Sequence, residues 1–290
     1  MIDLTNSNIY QQTISEPIFI KGIGLHSGID TTMKLLPADV DYGIKFIRKD
    51  ININNIVDAL WSNVTNTKLS TTISNKFGIS ISTIEHLMSA LSGLHIDNLK
   101  IEIDGPEVPI MDGSSKEFVD LIEKIPIKSL NKKRKIIKIK KELKIIDNES
   151  SVQLKPNNQF AIDFEIDFPS QVISKQSCQL QLINGNYKTD IASARTFGFE
   201  KDVDMLRSNG LALGGSLQNA VVVGDHKILN KEGLRFKDEF VRHKILDSIG
   251  DLYLAGAPIQ GYFYGNKSGH RLNNLLLKSL FSDDNNFEYI

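Results

Sequence analysis

The sequence predicts an α+β protein built from two similar parts, and three observations lead to that prediction. In each half of the chain, segments of alternating apolar and polar residues precede helices, without the strict strand–helix alternation of a doubly wound sheet. A short basic segment at 131–135 separates the two halves. The length of 290 residues is that of about two ordinary domains. We therefore predict an N-terminal domain over 1–130 and a C-terminal domain over 131–290.

The first half contains four recognisable segments. In chain order they are a β-hairpin over 15–50 around the glycine-rich turn 22–28, a helix over 82–92, a strand over 99–105 and a helix over 115–123. Ser82 and Glu85 have the spacing of a capping box at the start of the first helix, and Ser114 and Glu117 have it at the start of the second. The period-two strand between two helical patterns is typical of a layered α+β domain.

The second half repeats this plan with longer elements. In chain order we expect strands over 136–183, a helix over 201–208, a strand over 220–224, a helix over 238–254, a strand over 259–265 and a helix over 268–281. The basic residues 131–135 are interpreted as a solvated linker between the domains, because isolated charge runs are usually exposed.

Composition excludes several classes of protein. A net charge of −1 gives no electrostatic reason to expect nucleic acid as a partner. The single cysteine, Cys178, excludes a disulfide framework and a thiolate-rich zinc site. The polar start MIDLTNSNIYQQ lacks the basic and apolar regions of a signal peptide. We expect a cytoplasmic protein without stable membrane insertion, because no apolar stretch approaches the ~20 residues that cross a bilayer.

The helix predicted over 238–254 carries a row of ionisable side chains. His243, Asp247 and Asp251 are spaced four residues apart and lie on one helix face, beside the apolar stripe that should be buried. A histidine and a carboxylate at this spacing can reach one metal ion. A surface ion pair also explains this spacing, and on this helix alone the spacing favours that interpretation.

The helix predicted over 82–92 carries Glu85 and His86. Adjacent helix residues project about 100° apart, so one can bind an ion while the other reaches a water on it. The alternatives are a capping role for Glu85 and a core position for His86.

Taken together, these residues indicate a zinc hydrolase. Two imidazoles and one carboxylate, from His86, His243 and Asp247, form a common catalytic zinc set that leaves a position for water. The metal lowers the pKa of that water toward ~7, and Glu85 then acts as general base. His270, in a glycine-flanked loop, is the candidate acid, and Asp251 is placed to orient it.

Seven motifs, in this order, resemble the UDP-3-O-acyl-N-acetylglucosamine deacetylases, the zinc enzymes that commit Gram-negative bacteria to lipid A synthesis. They are KGIGLHSG, STIEHLMSAL, IDGPEVPIMDGSS, SARTFGF, GLALGGS, LRFKDEFVRHKILDSIGDL and KSGHRLNN, and they span about residues 15–280. The resemblance implies two similar α+β domains with helices packed between the sheets and a small insert in each. It also implies deacetylation of a UDP-linked acylated amino sugar, with release of acetate.

The resemblance also implies roles for individual residues. His86, His243 and Asp247 would be zinc ligands, and Glu85 would be the general base. His270 with Asp251 would be the acid or electrostatic pair, and Thr196 would be an oxyanion-side hydroxyl. Lys244 would contact substrate, Leu25, Phe197 and 212–216 with Ser216 would form the acyl passage, and Phe168 would stack on uracil. Two positions depart from the family pattern. Ser150 stands where many members have a lysine near the diphosphate, and Pro169-Ser170-Gln171 stands where many have Asn-His-Pro.

Two other functions remain as alternatives. The first is a related zinc amidase with a different N-acyl substrate, for which the Ser150 departure is the sequence support. The second is a non-catalytic sugar-nucleotide binding protein, which predicts the loss of a residue of the catalytic set. That set, Glu85, His86, His243 and Asp247, is complete in this chain. Separately, we expect the protein to be a monomer.

Overall fold

A computed structural model describes residues 9–182 and 185–290. Residues 1–8 of the polar N-terminal segment, and the end of the strand region predicted over 136–183, lie outside the described residues. The described chain is a mixed α+β structure, as the sequence predicts. Of the helices in this part of the chain, none combines the length and apolar character needed to cross a bilayer.

From residue 9 onward, the first half contains ten strands and two α-helices. They are β1 (Tyr10–Ile14), β2 (Ile18–Ile23), β3 (Asp30–Pro37), β4 (Ile44–Arg48), β5 (Ile56–Asp58), β6 (Val64–Asn66), β7 (Thr72–Ser74), β8 (Ser80–Ile81), α1 (Glu85–Gly93), β9 (Leu99–Ile103), α2 (Lys116–Ile122) and β10 (Ile127–Lys133). The predicted hairpin is β2 and β3, and alternate residues of both strands are buried. These elements form a five-stranded sheet in the order β2-β3-β9-β4-β5 and a small sheet in the order β6-β7-β8.

The described residues of the second half form ten further strands and four α-helices. They are β11 (Ile137–Ile139), β12 (Leu143–Asp147), β13 (Ser150–Lys155), β14 (Ala161–Asp167), β15 (Lys175–Gln181), α3 (Tyr187–Asp190), β16 (Phe197–Phe199), α4 (Val203–Ser208), β17 (Val221–Val223), α5 (Glu239–Tyr253), β18 (Ile259–Gln260), β19 (Tyr262–Asn266), α6 (His270–Leu280) and β20 (Phe287–Tyr289). The strand predicted over 259–265 is therefore two strands interrupted at Gly261, where a Cβ atom would lie 2.8 Å from Ile139.

The two large sheets have the same topology. The second has the order β12-β13-β19-β14-β15. In both sheets the first three strands are antiparallel, the third and fourth are parallel, and the fifth is antiparallel to the fourth. This repetition is the two-part similarity that the sequence predicts, and it exists in the backbone without an obvious repeat of residues.

Helices α1 and α5 pack against each other at the centre of the molecule. Almost every residue of both helices is buried. Helix α5 also packs on β14 and β15 of the second sheet. The close approach needs Gly250, since a Cβ atom there would lie 2.0 Å from the carbonyl oxygen of Glu85. The first turn of α1 is thereby held against the middle of α5.

Three local predictions are wrong: the start of α1, the two capping boxes and the free linker. Helix α1 begins at Glu85 rather than at residue 82, because Thr83 has φ 55° and its hydroxyl bonds Oε1 of Glu107. No side chain caps this helix or α2 at the N-cap residue, so neither predicted capping box forms. The basic segment is also not a free linker: residues 131–133 continue β10, which pairs with β1.

Candidate metal centre and active-site cavity

Helix α5 turns three ionisable side chains toward the interior. His243, Asp247 and Asp251 are each at most 3% exposed, so the surface ion-pair interpretation is wrong. The four-residue spacing brings Nε2 of His243 to 3.3 Å from Oδ1 of Asp247. Burying three such groups costs free energy unless each finds a partner of suitable charge.

Helix α1 adds His86 to this pair. Nε2 of His86 lies 3.6 Å from Oδ1 of Asp247, and the two imidazole rings meet edge to face with centroids 5.0 Å apart. One potential ligand atom from each of the three residues lies within 4.8 Å of the other two. The three side chains converge although His86 is more than 150 residues from the other two.

The donor atoms suit a divalent metal ion. Oδ1 of Asp247 is buried and has no hydrogen-bond partner among the described residues. Nδ1 of His243 is 3.1 Å from the carbonyl oxygen of Ala194. Such a bond fixes the tautomer in which Nε2 offers its lone pair to a metal. Two imidazoles and a carboxylate are donors that zinc, iron and cobalt all accept.

The protonation states also suit metal binding. Burial lowers the pKa of His243 to about 3, so its imidazole is neutral at physiological pH. Burial alone would raise the pKa of Asp247, but His243 and Lys244 hold it well below its ordinary value. Nζ of Lys244 lies 2.6 Å from Oδ2 of Asp247. A neutral imidazole beside an ionised carboxylate is the ligand form that metals require.

Glu85 begins α1 with its carboxylate inside the protein. Oε2 accepts the backbone N–H of Thr71 at 3.0 Å, and Oε1 lies 3.8 Å from Nε2 of His270. Burial raises the pKa of Glu85 above its ordinary value, which makes the carboxylate a stronger base than a solvated one. Glu85 therefore presents a buried carboxylate to the same cavity as His86 and His270.

Asp251 holds His270 in one orientation. Oδ2 of Asp251 lies 2.8 Å from Nδ1 of His270 and also accepts from Nδ2 of Asn273 at 2.9 Å. Burial alone would lower the pKa of His270, but Asp251 and Glu85 raise it to about 9. His270 is therefore a cation at neutral pH, with Nε2 turned toward Glu85.

A cavity of about 620 Å³ joins these groups to an apolar compartment. Its walls include Glu85, His86, His243, Asp247 and His270. All six residues expected to contact substrate or the oxyanion also line it, and these are Leu25, Phe168, Thr196, Phe197, Lys244 and Ser216. The remaining wall is mainly aliphatic, with Val203, Met205, Leu206, Leu217, Val222 and Leu229. Asp251 is not part of the wall and lies behind His270.

Phe197 is the ring that connects the polar and apolar regions. Its ring packs edge to face on His243, at 6.3 Å between centroids, and on Phe168, at 5.7 Å. Nζ of Lys244 lies 5.8 Å from its centroid. Thr196 immediately precedes β16, and its backbone N–H donates to the carbonyl of Gly113 at 2.7 Å. Phe168 is packed on Phe197 and is only partly exposed.

The glycine-rich segments of the two halves meet at the cavity. The backbone N–H groups of Leu213 and Gly214 donate to the carbonyls of His26 and Leu25. A Cβ atom on Gly214 would lie 2.2 Å from the carbonyl oxygen of Gly24. Gly214 therefore permits the close approach of the two backbone segments.

Sequence reasoning gave no role to three residues near the site. His26 lines the cavity, and burial lowers its pKa. Buried Glu107 accepts the backbone N–H groups of His26 and Ser27, and it holds the turn. Thr71 contacts both Glu85 and Asp251. His26 and Glu107 stand inside recognisable motifs, whereas nothing in the local sequence distinguishes Thr71.

The departure at Ser150 has a structural counterpart. The Ser150 hydroxyl donates to the carbonyl oxygen of Lys267 at 2.8 Å, in the loop that leads to His270. Nζ of Lys267 pairs with Asp167 at 2.9 Å and with Glu149 at 3.2 Å. Ser150 therefore supports the loop that leads to His270, and Lys267 of that loop is paired with two carboxylates.

Comparisons with known proteins agree over almost the whole chain. The family described as LpxC, UDP-3-O-acyl N-acetylglycosamine deacetylase, matches residues 11–282. A relative from Geobacter sp. (strain M21) is 48% identical over 272 residues, covering 94% of this chain and 89% of the relative. Relatives from Syntrophus aciditrophicus and Shewanella violacea are each 45% identical, covering 96% and 97% of this chain and 88% and 93% of their own. All three are named UDP-3-O-acyl-N-acetylglucosamine deacetylase.

Proposed function

Because the chain belongs to the LpxC family of UDP-3-O-acyl N-acetylglycosamine deacetylases, we propose that it hydrolyses the acetamide of a UDP-linked 3-O-acyl-N-acetylglucosamine. The products are acetate and the free amine, and in lipid A synthesis this is the committed step. The observation that carries the proposal is the cluster of His86, His243 and Asp247 beside Glu85 in a cavity with an apolar compartment. The substrate has an amide that matches the polar cluster and an acyl chain that matches the apolar compartment.

His86, His243 and Asp247 are the proposed zinc ligands. When bound, zinc acts as a Lewis acid that acidifies a coordinated water and polarises a carbonyl oxygen. Lys244 neutralises the second oxygen of Asp247, and its Nζ lies next to Phe197 at the cavity wall. The lysine therefore orients the carboxylate and offers positive charge to an anionic substrate.

Glu85 is the proposed general base. Its Oε1 takes a proton from the attacking water as the water oxygen bonds to the amide carbon. The N–H of Thr71 occupies Oε2, so Oε1 is the oxygen available for this transfer. The raised pKa of the buried carboxylate suits a base that works near neutral pH.

His270 is the proposed proton donor. It is cationic at neutral pH, and Asp251 binds its Nδ1 and leaves the proton on Nε2 for the site. That proton goes to the nitrogen as the carbon–nitrogen bond breaks, so the amine leaves as a neutral group. Before the break, the imidazolium and the Thr196 hydroxyl stabilise the negative charge on the carbonyl oxygen.

The aliphatic wall is the proposed acyl site. Leu25, Phe197 and, from the segment 212–216, Ala212, Gly215 and Ser216 line the cavity together with α4. Burial of a long acyl chain provides about 0.8 kcal/mol per methylene, and binding energy from a remote group can raise the rate at the reacting amide. For the nucleotide, the proposed uracil contact is Phe168, which follows β14 of the second sheet and lines the cavity.

Acetate release by zinc-loaded protein tests this function. Three substrates are compared: the UDP-linked 3-O-(3-hydroxyacyl)-N-acetylglucosamine, UDP-N-acetylglucosamine without the acyl chain, and free N-acetylglucosamine. We expect the highest kcat/KM with the first and a clear loss with the second. Faster turnover of either simpler amide would overturn the assignment in favour of a zinc amidase with another N-acyl substrate. Tight binding of the acylated substrate without acetate release would instead indicate a binding protein.

A further inference from the structure

Thr71 contacts two groups of the site that come from different halves of the chain. Its hydroxyl donates to Oδ1 of Asp251 at 2.6 Å, and its backbone N–H donates to Oε2 of Glu85 at 3.0 Å. Its carbonyl accepts the N–H of Ile84, the residue before Glu85. Thr71 is 2% exposed and immediately precedes β7 of the small sheet.

The hydroxyl completes the hydrogen bonding of Asp251. His270 and Asn273 both bind Oδ2, while Thr71 binds Oδ1. His270 and Asn273 lie on α6 and Asp251 lies on α5, so Thr71 is the contributor from the first half of the chain. A carboxylate held at both oxygens cannot rotate, and its partner imidazole is then fixed as well.

We propose that Thr71 is a positioning residue that sets the distance between Glu85 and His270. This inference rests on the proposed function, in which those two groups move protons. The backbone N–H of Thr71 directs Oε1 of Glu85 toward Nε2 of His270, which lies 3.8 Å away. Its hydroxyl holds Asp251, and through Asp251 it holds His270. One residue therefore fixes both proton-transfer groups, and it does so across the two halves of the molecule.

The hydroxyl can be tested apart from the backbone bond. Thr71→Val keeps the side-chain shape and the N–H but removes the donor to Asp251, whereas Thr71→Ser keeps the donor. We expect Thr71→Val to lower kcat by about 10- to 100-fold, the range typical of residues that orient a metal-site group. KM and bound zinc should stay near their original values. Thr71→Ser should recover most of the lost rate.

Thr65→Val is the matched control. Thr65 lies in β6 of the same small sheet, and its exposed hydroxyl bonds Ser74 rather than the site. The control should leave kcat unchanged. If Thr71→Val does not fold, Thr71→Ala is measured against Thr71→Ser by the same criterion.

A second variant separates positioning from general structure. In an Asp251→Asn background, Thr71→Val should cost little more, because residues that act in one network are not additive. Full kcat in Thr71→Val, equal losses in the Val and Ser variants, or full additivity with Asp251→Asn would each overturn the role of Thr71. The unsubstituted protein is assayed first, so that absence of acetate release there marks failure of the proposed function instead.

Discussion

Gly250 of α5 lies directly against the backbone of Glu85, where a Cβ atom would be 2.0 Å from the carbonyl oxygen and 2.9 Å from the carbonyl carbon. This contact sets how near the first turn of α1 comes to α5. His86 follows Glu85, and Asp247 precedes Gly250 by three residues. The geometry of the candidate metal centre therefore depends on a position that carries no functional group.

The first prediction concerns this contact. Gly250→Ala should push α1 away from α5, because the clash is with backbone that cannot rotate aside. We expect a loss of roughly 1–3 kcal/mol in the free energy of unfolding, typical of overpacking. Bound zinc should fall as well. Chemical denaturation and metal analysis measure the two effects.

Gly198→Ala is the control for Gly250→Ala. An added methyl there has no heavy atom within 4 Å, so stability and metal content should be retained. Unchanged metal content in Gly250→Ala would contradict the proposed coupling between helix spacing and the metal centre.

The second prediction concerns the charge on His270. In metal-free protein, the imidazole should stay protonated through neutral pH and titrate near its raised pKa of about 9. Asp251→Asn should lower that pKa, because it removes the nearest negative charge. Histidine NMR resonances followed from pH 6 to pH 10 measure both values.

The sign for stability follows from the same shift. Because the folded pKa lies above the unfolded value of about 6.5, the charged imidazole stabilises the metal-free fold below pH ~6.5. That contribution is lost as the pH rises through about 9. A titration of His270 at or below pH ~6.5 would remove the basis for its role as a cationic proton donor.

The third prediction concerns His95, away from the site. Burial, with a smaller effect of Arg134, lowers its pKa to about 4. The unfolded chain therefore takes up a proton on this imidazole near pH ~6.5, before the folded chain does. Stability should fall as the pH decreases from about 6.5 to about 4, by at most ~3 kcal/mol from this group.

His95→Gln removes that titration, so the free energy of unfolding should fall less steeply as the pH decreases from about 6.5 to about 4. Exposed His226 offers the matched control, His226→Gln. Denaturant unfolding at several pH values between 4 and 7 measures the difference. An equally steep fall in His95→Gln and the unsubstituted protein would contradict this prediction.

Several features of the fold could be predicted from local patterns. The helix predicted over 238–254 is α5, Glu239–Tyr253, because its apolar stripe is long and regular. Within the strand region predicted over 136–183, the strictly alternating residues Ala161–Asp167 form β14. The division of the chain at residues 130 and 131 stays a prediction, since β10 crosses from one side of it to the other.

Other features depend on contacts that local patterns do not contain. Ser82 and Glu85 match a capping box, but Glu85 instead accepts the N–H of Thr71. The positive φ of Thr83, which delays the start of α1, depends on Glu107. Local spacing favoured a surface role for His243 and Asp247. In the structure α5 is buried between other elements, and His86 from the other half of the chain lies beside both residues.

The chemical roles of the site residues stay predictions. Convergence of the three ligand candidates is a fact of the fold, while zinc binding and proton transfer are chemical properties of the protein in solution. Family membership and the cavity support them, and a measurement on the protein decides them.

The most direct test measures bound zinc and acetate release together in the unsubstituted protein, His86→Ala and His243→Ala, with His226→Ala as control. We expect about one zinc per chain in the unsubstituted protein and the control. Both ligand variants should lose the metal and at least about 100-fold in rate, since a catalytic metal supplies several kcal/mol to the transition state. Full zinc content and full deacetylation rate in His86→Ala and His243→Ala would contradict the account.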